Sequence, residues 1–425
     1  MKKVLFIAYL YPPIVDSGTQ RSIKFANYLP DYGWKPIVLT VENPPERTFD
    51  LSSMHEIVDG TRVERVALWS DVIARKIANF FRVKTLKQRV VEGISWRIRA
   101  IWNIPEYSSA TWRPTAVKRA LEIFRDEGYD CIYASGCPWT SFLIARDVSK
   151  KTGIPYVLDY RDLWTSWESP WETRTRLYRL LAPRQEKSVL KAASAIITVS
   201  NTLARVLTDM LPSTSYASVT CITNGYDPND YMVEPASKYV PEKVRIVFTG
   251  VWKNGYSPSP LYEALKIIRQ KSPEAWNQLE VVCAGFTPGP ASQYGLEGTV
   301  WELGRVPHQE AIALMKSADV LFLPVAEGDY ALGSLPGKFF EYLGSVKPII
   351  AAVPDESEVA LALSRVGGAS RLDPDDVKGL AKVLVEIAHT RGPTWGTPDP
   401  LLTARFQRRN LAAQLSDVLF SVIEK

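Results

Sequence analysis

Cysteine and histidine are nearly missing from this chain, which has four of the former and three of the latter in 425 residues. Cys131, Cys137, Cys221 and Cys283 have no paired C-x-x-C spacing and are too few to staple so long a chain, so a disulfide framework is excluded and a reducing compartment is expected. His55, His308 and His389 stand far apart without an H-E-x-x-H pattern, so neither a zinc centre nor any other bound metal is expected. No apolar run is long enough to cross a bilayer. The opening Met1-Lys2-Lys3, followed by Val4 to Leu10, imitates a secretory signal, but it meets Pro12-Pro13 and has no small-residue cleavage site; it reads as a first buried strand. The expected location is the cytoplasm, with any membrane contact peripheral and on the inner face. Low-complexity tracts and short repeats are missing too, and Pro and Gly are scattered, which excludes a fibrous or disordered chain.

What is present is an ordinary globular composition, 46% hydrophobic and 23% charged, in a chain long enough for two domains, each with its own core. The net charge of +5 is mild but uneven. Residues 75 to 99 hold Arg75, Lys76, Arg82, Lys84, Lys87, Arg89, Arg97 and Arg99 against Glu92 alone, eight cations minus one carboxylate, or +7. Interleaved with Ile77, Phe80, Phe81, Val90, Ile94, Trp96 and Trp102, the segment 75–102 fits an anionic membrane surface; it equally fits the solvated face of a surface helix pair. No nucleic-acid motif accompanies the charge, so nucleic acid is not expected as a partner.

Short Val/Ile/Leu runs alternate with helix-length periodic segments, the pattern of parallel sheets covered by helices on both faces. Strands are expected over 4–9, 36–40, 131–134, 156–159, 195–199 and 219–223, then over 244–248, 279–284, 299–303, 320–323 and 348–352. Helices are expected over 21–29, 141–151, 259–270, 309–317, 337–343 and 405–423. Between the two series, Gly225-Tyr226-Asp227-Pro228, Pro235 and Pro241 have the composition of a connection. The reading is therefore α/β, with a Rossmann-like domain over 1–230, a linker over 231–243, a second Rossmann-like domain over 244–404 and a terminal helix over 405–425. Two such domains facing each other make a cleft lined by strand-to-helix loops, where ligands bind.

Four of those loops carry chemistry. In Tyr11-Pro12-Pro13-Ile14-Val15-Asp16-Ser17-Gly18-Thr19-Gln20-Arg21, Gly18 allows close approach and the helix start offers N–H groups to an anion such as a diphosphate, although a bare turn also needs glycine. In Asp159-Tyr160-Arg161-Asp162-Leu163-Trp164, Asp162 suits a general base or acceptor-orienting carboxylate, with Arg161 holding it or a substrate oxygen. The alternative there is an ion pair of Arg161 with Asp159 or Asp162 that closes the strand. Thr249-Gly250-Val251-Trp252-Lys253 delivers a lysine suited to neutralising a diphosphate, or simply exposed to solvent. The sharpest pattern is Gly333-Ser334-Leu335-Pro336-Gly337-Lys338-Phe339-Phe340-Glu341-Tyr342-Leu343. Ser334 and Pro336 are helix-start residues, and Lys338 and Glu341 share one helix face. Beside an anion-binding helix start they fit a sugar nucleotide, Lys338 for the diphosphate and Glu341 for ribose hydroxyls; a surface salt bridge is the other reading.

With these pieces assembled, the chain resembles the family 4 glycosyltransferases, especially the bacterial branch that builds surface polysaccharides and lipid-linked glycans. The carriers are Tyr11-Pro12-Pro13 with Gly18 and Arg21, the Asp159 to Trp164 run, Ile222-Thr223-Asn224-Gly225-Tyr226-Asp227, Leu303-Gly304-Arg305-Val306-Pro307, and Ser334 to Leu343 followed by Lys347-Pro348-Ile349. The resemblance implies the GT-B fold and transfer of a sugar from a nucleotide-sugar donor to a glycan or lipid-linked acceptor. It further implies retention of the anomeric configuration, with no metal and no cofactor. Lys253 and Lys338 would meet the donor diphosphate, Glu341 the ribose, Gly18 the donor sugar and phosphates, and the backbone near Val306 the base. Gly250, Ser334 and Leu335 join that donor-binding set, Asp162, Arg161 and Lys338 are the candidates for catalysis, and the last helix would cross back to brace the first domain. Two departures stand out. Gly333 occupies the position eight before Glu341 where many members have a glutamate, leaving Glu327, Asp329 or backbone groups to meet the sugar, and a first-domain histidine of many members has no counterpart, Asp162 standing in the comparable loop. The rivals are a nucleotide-sugar 2-epimerase of the same architecture, disfavoured by the scarcity of histidine, and a non-catalytic sugar-nucleotide-binding protein, motivated by Gly333.

Overall fold

The computed structural model describes residues 1–16, 18–44, 47–80, 92–98, 106, 109–166, 176–237, 242–251, 257–325 and 332–424, with backbone alone at 52 and 78–80. It divides into two compact units, Met1–Thr223 with Leu411–Lys425, and Asn224–Asn410. The chain thus passes to the second unit at Thr223, and the described part of the segment read as a linker, 231–237 and 242–243, lies within that unit.

The first unit holds seven strands, β1 (Lys2–Ala8), β2 (Trp34–Val41), β3 (Arg62–Val66), β4 (Cys131–Gly136), β5 (Tyr156–Tyr160), β6 (Ala195–Thr198) and β7 (Ser218–Cys221). They form one sheet in the order β3-β2-β1-β4-β5-β6-β7, every pair parallel. Alternation along the strands feeds two apolar layers. From β1, Leu5 and Ile7 join one layer, while Val4, Phe6 and Ala8 join the other. The second layer includes Leu411, Ala412, Leu415 and Leu419 of the helix Arg408–Ile423, so the chain's last helix is part of the first unit's core. Ser416 Oγ also donates to the Tyr32 carbonyl at 3.2 Å.

The second unit repeats the plan with β8 (Val244–Thr249), β9 (Leu279–Ala284), β10 (Val300–Glu302), β11 (Val320–Pro324), β12 (Ile349–Ala352) and β13 (Ala369–Leu372), in the parallel order β10-β9-β8-β11-β12-β13. Strands β3 and β13 are absent from the strands expected from sequence. Both are half-buried edge strands with polar residues between the apolar ones, and neither contains the continuous apolar run that marks a central parallel strand. Of the expected helices, the last begins at Arg408 rather than Arg405, because Ala404–Phe406 is a 3₁₀ turn that follows the short helix Pro400–Thr403.

Candidate functional site

In each sheet the strand order reverses at one pair: β1 lies between β2 and β4, and β8 between β9 and β11. Loops leaving the two strands at such a reversal turn to opposite faces, and the gap left at their carboxyl ends is where open parallel sheets bind ligands. Gly18, Gly250 and the helix bearing Lys338 and Glu341 follow strands of these two reversals, and Arg161 and Asp162 leave the neighbouring β5.

In the first unit, the loop after β1 ends at Gly18, N-cap of the helix Thr19–Tyr28. Asp16 shapes it, accepting from the Gly18 N–H at 3.2 Å and from Arg47 at 2.8 Å. From the exit of β5, Arg161 reaches the same place: a Cβ on Gly18 would sit 1.3 Å from its Nη1. Arg161 also donates through Nε and Nη2 to the carbonyls of Gly136 and Cys137 at the exit of β4. The ion pair of Arg161 with Asp159 that sequence offered is not formed, because Asp159 is committed elsewhere. Its carboxylate is fully buried and takes Arg21 in a two-pronged bond, Nε at 2.8 Å and Nη2 at 2.9 Å, together with the Tyr133 hydroxyl. Arg21 further donates to the carbonyls of Ile222, at 2.9 Å, and Thr223, at 2.7 Å.

The remainder of the β5 loop is pinned so that Asp162 stays half-buried at its rim. Leu163 and Trp164 turn inward, and Trp164 stacks on Trp139 at 5.7 Å with planes 8° apart. The Thr165 hydroxyl donates to Glu186, a buried carboxylate on the helix Arg176–Leu190. Burial pushes the Glu186 pKa up to about 7, against the hydrogen bond from Thr165, which acts the other way. A carboxyl that ionises near 4.5 when unfolded and near 7 when folded favours the folded state below its unfolded value and loses that advantage as pH rises through 7. Between pH 5 and pH 8 this amounts to about 2–3 kcal/mol. Glu186→Gln should abolish that component, so urea unfolding at the two pH values should show the wild type losing more stability than the variant. Parallel pH profiles would refute the assignment.

In the second unit the exits of β8 and β9 meet backbone to backbone. Gly250, at φ +152°, donates its N–H to the Ala284 carbonyl at 2.8 Å. Gly285, at φ +110°, donates to the Gly304 carbonyl at 2.7 Å, and a Cβ on it would lie 2.5 Å from the Gly250 oxygen. Only glycine permits both the dihedrals and the approach. The helix Gly337–Ser345 follows β11 and is bolted to this rim by Tyr342, whose hydroxyl accepts from the Thr249 N–H at 3.0 Å and donates to the Phe322 carbonyl at 3.2 Å. Phe339, Phe340 and Leu343 are fully buried, which leaves Lys338 and Glu341 on the half-buried face. The Lys338 ammonium lies 4.4 Å from the Phe248 ring centroid, and a Cβ on Gly250 would come within 2.3 Å of it. Glu341 is fixed through its carbonyl, which accepts from the Tyr231 hydroxyl at 2.7 Å.

The helix start differs in detail from the sequence reading. Ser334 and Leu335 precede it, Pro336 is the N-cap, and no side chain caps the first turn, so its N–H groups and the positive end of the helix dipole lie beside Lys338. Val306, half-buried, packs on the core below the helix, just past Gly304. Lys253, Glu327 and Asp329, and 81–91 and 99–102 within the basic segment, lie outside the described residues.

Three participants were not singled out from sequence. Gly285 had a legible signal, a glycine directly after a strand ending in Ala284. Glu106 had none: it is buried beside the start of the helix Thr140–Thr152, accepting from Ser109 at 3.1 Å, the Thr140 N–H at 3.3 Å and Cys137 Sγ at 3.5 Å. Glu186 sits in an ordinary helical sequence and had none either. All four cysteines are free.

The model of the glycosyl transferase 4-like domain matches residues 24–225. No curated protein matches the sequence. Among solved structures, sucrose-phosphate synthase from Thermosynechococcus elongatus superposes with a TM-score of 0.65 at 16% identity over 100% of both chains. HepE of Anabaena in complex with UDP gives a TM-score of 0.57 at 16% identity over 100% of this chain and 97% of its own. The UDP-forming trehalose-phosphate synthase of Burkholderia vietnamiensis gives 0.61 at 11% identity, again over 100% of both. At such identities the superpositions speak for the fold, and the family model speaks for the first unit. Two parallel sheets of matching topology and these neighbours give the chain the GT-B fold, and the matched residues 24–225 mark its first unit as a glycosyl transferase 4-like domain.

Proposed function

We propose that the chain is a retaining, metal-independent transferase that moves a sugar from a nucleoside-diphosphate donor to a glycan or lipid-linked acceptor in polysaccharide or glycoconjugate synthesis. One observation carries the reading: at the strand-order reversal of the second unit, the ammonium of half-buried Lys338 and an uncapped helix start are gathered on a rim of bare backbone. A diphosphate satisfies both positive features at once, and it is the group on which negative charge grows as a glycosidic bond breaks. HepE, on the same fold, holds UDP and UDP-glucose. Lys338, assisted by Lys253, meets the diphosphate, Glu341 accepts from ribose hydroxyls, the rim at Gly250 and Ser334-Leu335 lines the donor, and backbone near Val306 reads the base. Asp162 orients or deprotonates the acceptor hydroxyl, with Arg161 fixing the loop against Gly18. With cations and helix N–H groups carrying the leaving charge, no metal or cofactor is needed, and attack on the face the diphosphate leaves retains the configuration.

Membrane contact through 75–102 belongs to the same proposal. Arg75 and Lys76 are exposed on the helix Trp69–Phe80, and Trp96 is 57% exposed. Buried Ser95 donates to Asp71, seating 92–98 on that helix. No helix among the described residues is long and apolar enough to cross a membrane.

The test is release of nucleoside diphosphate from UDP-sugars with and without glycan or lipid-linked acceptor, in the presence of a chelator. Release should depend on acceptor and survive chelation. Glu341→Ala should raise the donor KM about ten-fold with kcat largely kept, the signature of lost uniform binding. Epimerised donor formed without acceptor would replace this reading with an epimerase, and donor binding without turnover would replace it with a binding protein.

A further inference from the structure

The helix Arg176–Leu190 presents opposite chemistry on its two faces. Inward, Ala182, Glu186, Val189 and Leu190 are buried. Outward, Arg176, Leu177, Arg179, Leu180, Pro183, Arg184 and Lys187 are exposed, positions one, three and four apart that fall on one side of a 3.6-residue repeat. Leu177 is 55% exposed and Leu180 52%, so two large apolar side chains three positions apart stand in water. Such a pair gains free energy from any apolar partner.

Charge narrows the choice of partner. Four of the seven outward residues are cations, and the helix's one carboxylate, Glu186, is on the buried side. A second copy of this chain would bring the same cations face to face and be repelled. A bilayer with anionic headgroups matches both features: leucines enter the acyl boundary while the long Arg and Lys side chains snorkel back to lipid phosphates.

We propose that the outward face of the helix Arg176–Leu190 docks on an anionic lipid surface. It is a separate contact from the segment 75–102, and only its purpose rests on the lipid-linked acceptor proposed above. Glu186, on the inward face, holds Thr165 of the loop that carries Asp162, so docking sets that loop at a fixed height over the bilayer.

The test is flotation of the full chain with phosphatidylcholine vesicles, with and without phosphatidylglycerol, at low and high salt. Association is expected with the anionic vesicles only and should fade as salt rises. Arg184→Glu with Lys187→Glu should lower partitioning by about five-fold for each cation lost, and Leu177→Asp with Leu180→Asp should abolish it. Both pairs should keep the wild-type circular dichroism, unfolding midpoint and transfer rate to a soluble acceptor. Flotation by a chain that turns over no donor would still support docking, so the two readings fail separately. Wild-type partitioning by both outward-face pairs overturns the proposal, all the more if Trp96→Ala or Arg97→Glu alone abolishes it. So does failure of the wild type to float at low salt, or a sedimentation dimer that Leu177→Asp dissociates while vesicle binding is unchanged.

Discussion

Lys338→Ala should lose transfer by a hundred- to a thousand-fold with little change in stability. The asymmetry comes from comparing what the ammonium does for the fold with what it does for the reaction. Its contact with the Phe248 ring, at 4.4 Å to the centroid, is a cation–π contact of about 0.5–1 kcal/mol. A fixed cation facing charge that appears only in the transition state is worth about 3–4 kcal/mol. Lys338→Arg should recover little of the activity, since the ammonium fills the space that Gly250 leaves by having no side chain, and a guanidinium is broader. Gly250→Ala supplies the complementary result. It keeps the charge but drives a Cβ to within 2.3 Å of Nζ at a dihedral that L residues avoid, so it should lower turnover as well. The measurement is acceptor-dependent release of nucleoside diphosphate alongside thermal unfolding. Normal transfer by Lys338→Ala would remove the lysine from any part in the chemistry.

The sequence made this comparison possible because the second unit's signals are local. Ser334 to Leu343 is one turn and one helix, and the apolar repeat that buries Phe339, Phe340 and Leu343 also decides which way Lys338 and Glu341 face. Central strands were legible for a similar reason, since β1 from Val4 on, β9 from Val281 on and β12 are runs of apolar residues buried on both faces. The edge strand β3 was not, because one partner and a half-wet face leave only five half-buried residues, Arg-Val-Glu-Arg-Val, although the edge strands β7 and β10 were. What sequence hides is pairing at a distance. Asp159 could bond any cation near the end of β5, and Arg161 is two positions away, yet the partner is Arg21, 138 positions distant. Only the sheet order, which brings the helix after β1 beneath β4 and β5, makes that choice. Glu106 and Glu186 carry the same lesson: each is a solvent-loving residue by type, and only the assembled loops around it reveal a buried acceptor.

Replacing Asp159 by Asn or Ala should therefore cost about 3–5 kcal/mol of stability, the second large effect expected here. Both side chains of the pair are fully buried, so removing the carboxylate strands a guanidinium with no water to solvate it. Arg21→Ala should be comparably severe, because it also orphans the carbonyls of Ile222 and Thr223 just past β7. The pair gathers the helix Thr19–Tyr28, β4 through Tyr133, β5, and the last residues before the chain enters the second unit. Its loss should loosen the Gly18 loop and the Arg161–Asp162 exit together. The double variant Arg21→Met with Asp159→Leu discriminates an ion pair from mere filled volume. With no charge left to strand, it should unfold in urea well above either single variant, the three measurements forming a strongly non-additive cycle. Additive costs, or single variants within 1 kcal/mol of wild type, would mean water or another group reaches the pair, and that the β5 exit is held by Arg161, Trp164 and Thr165 without it.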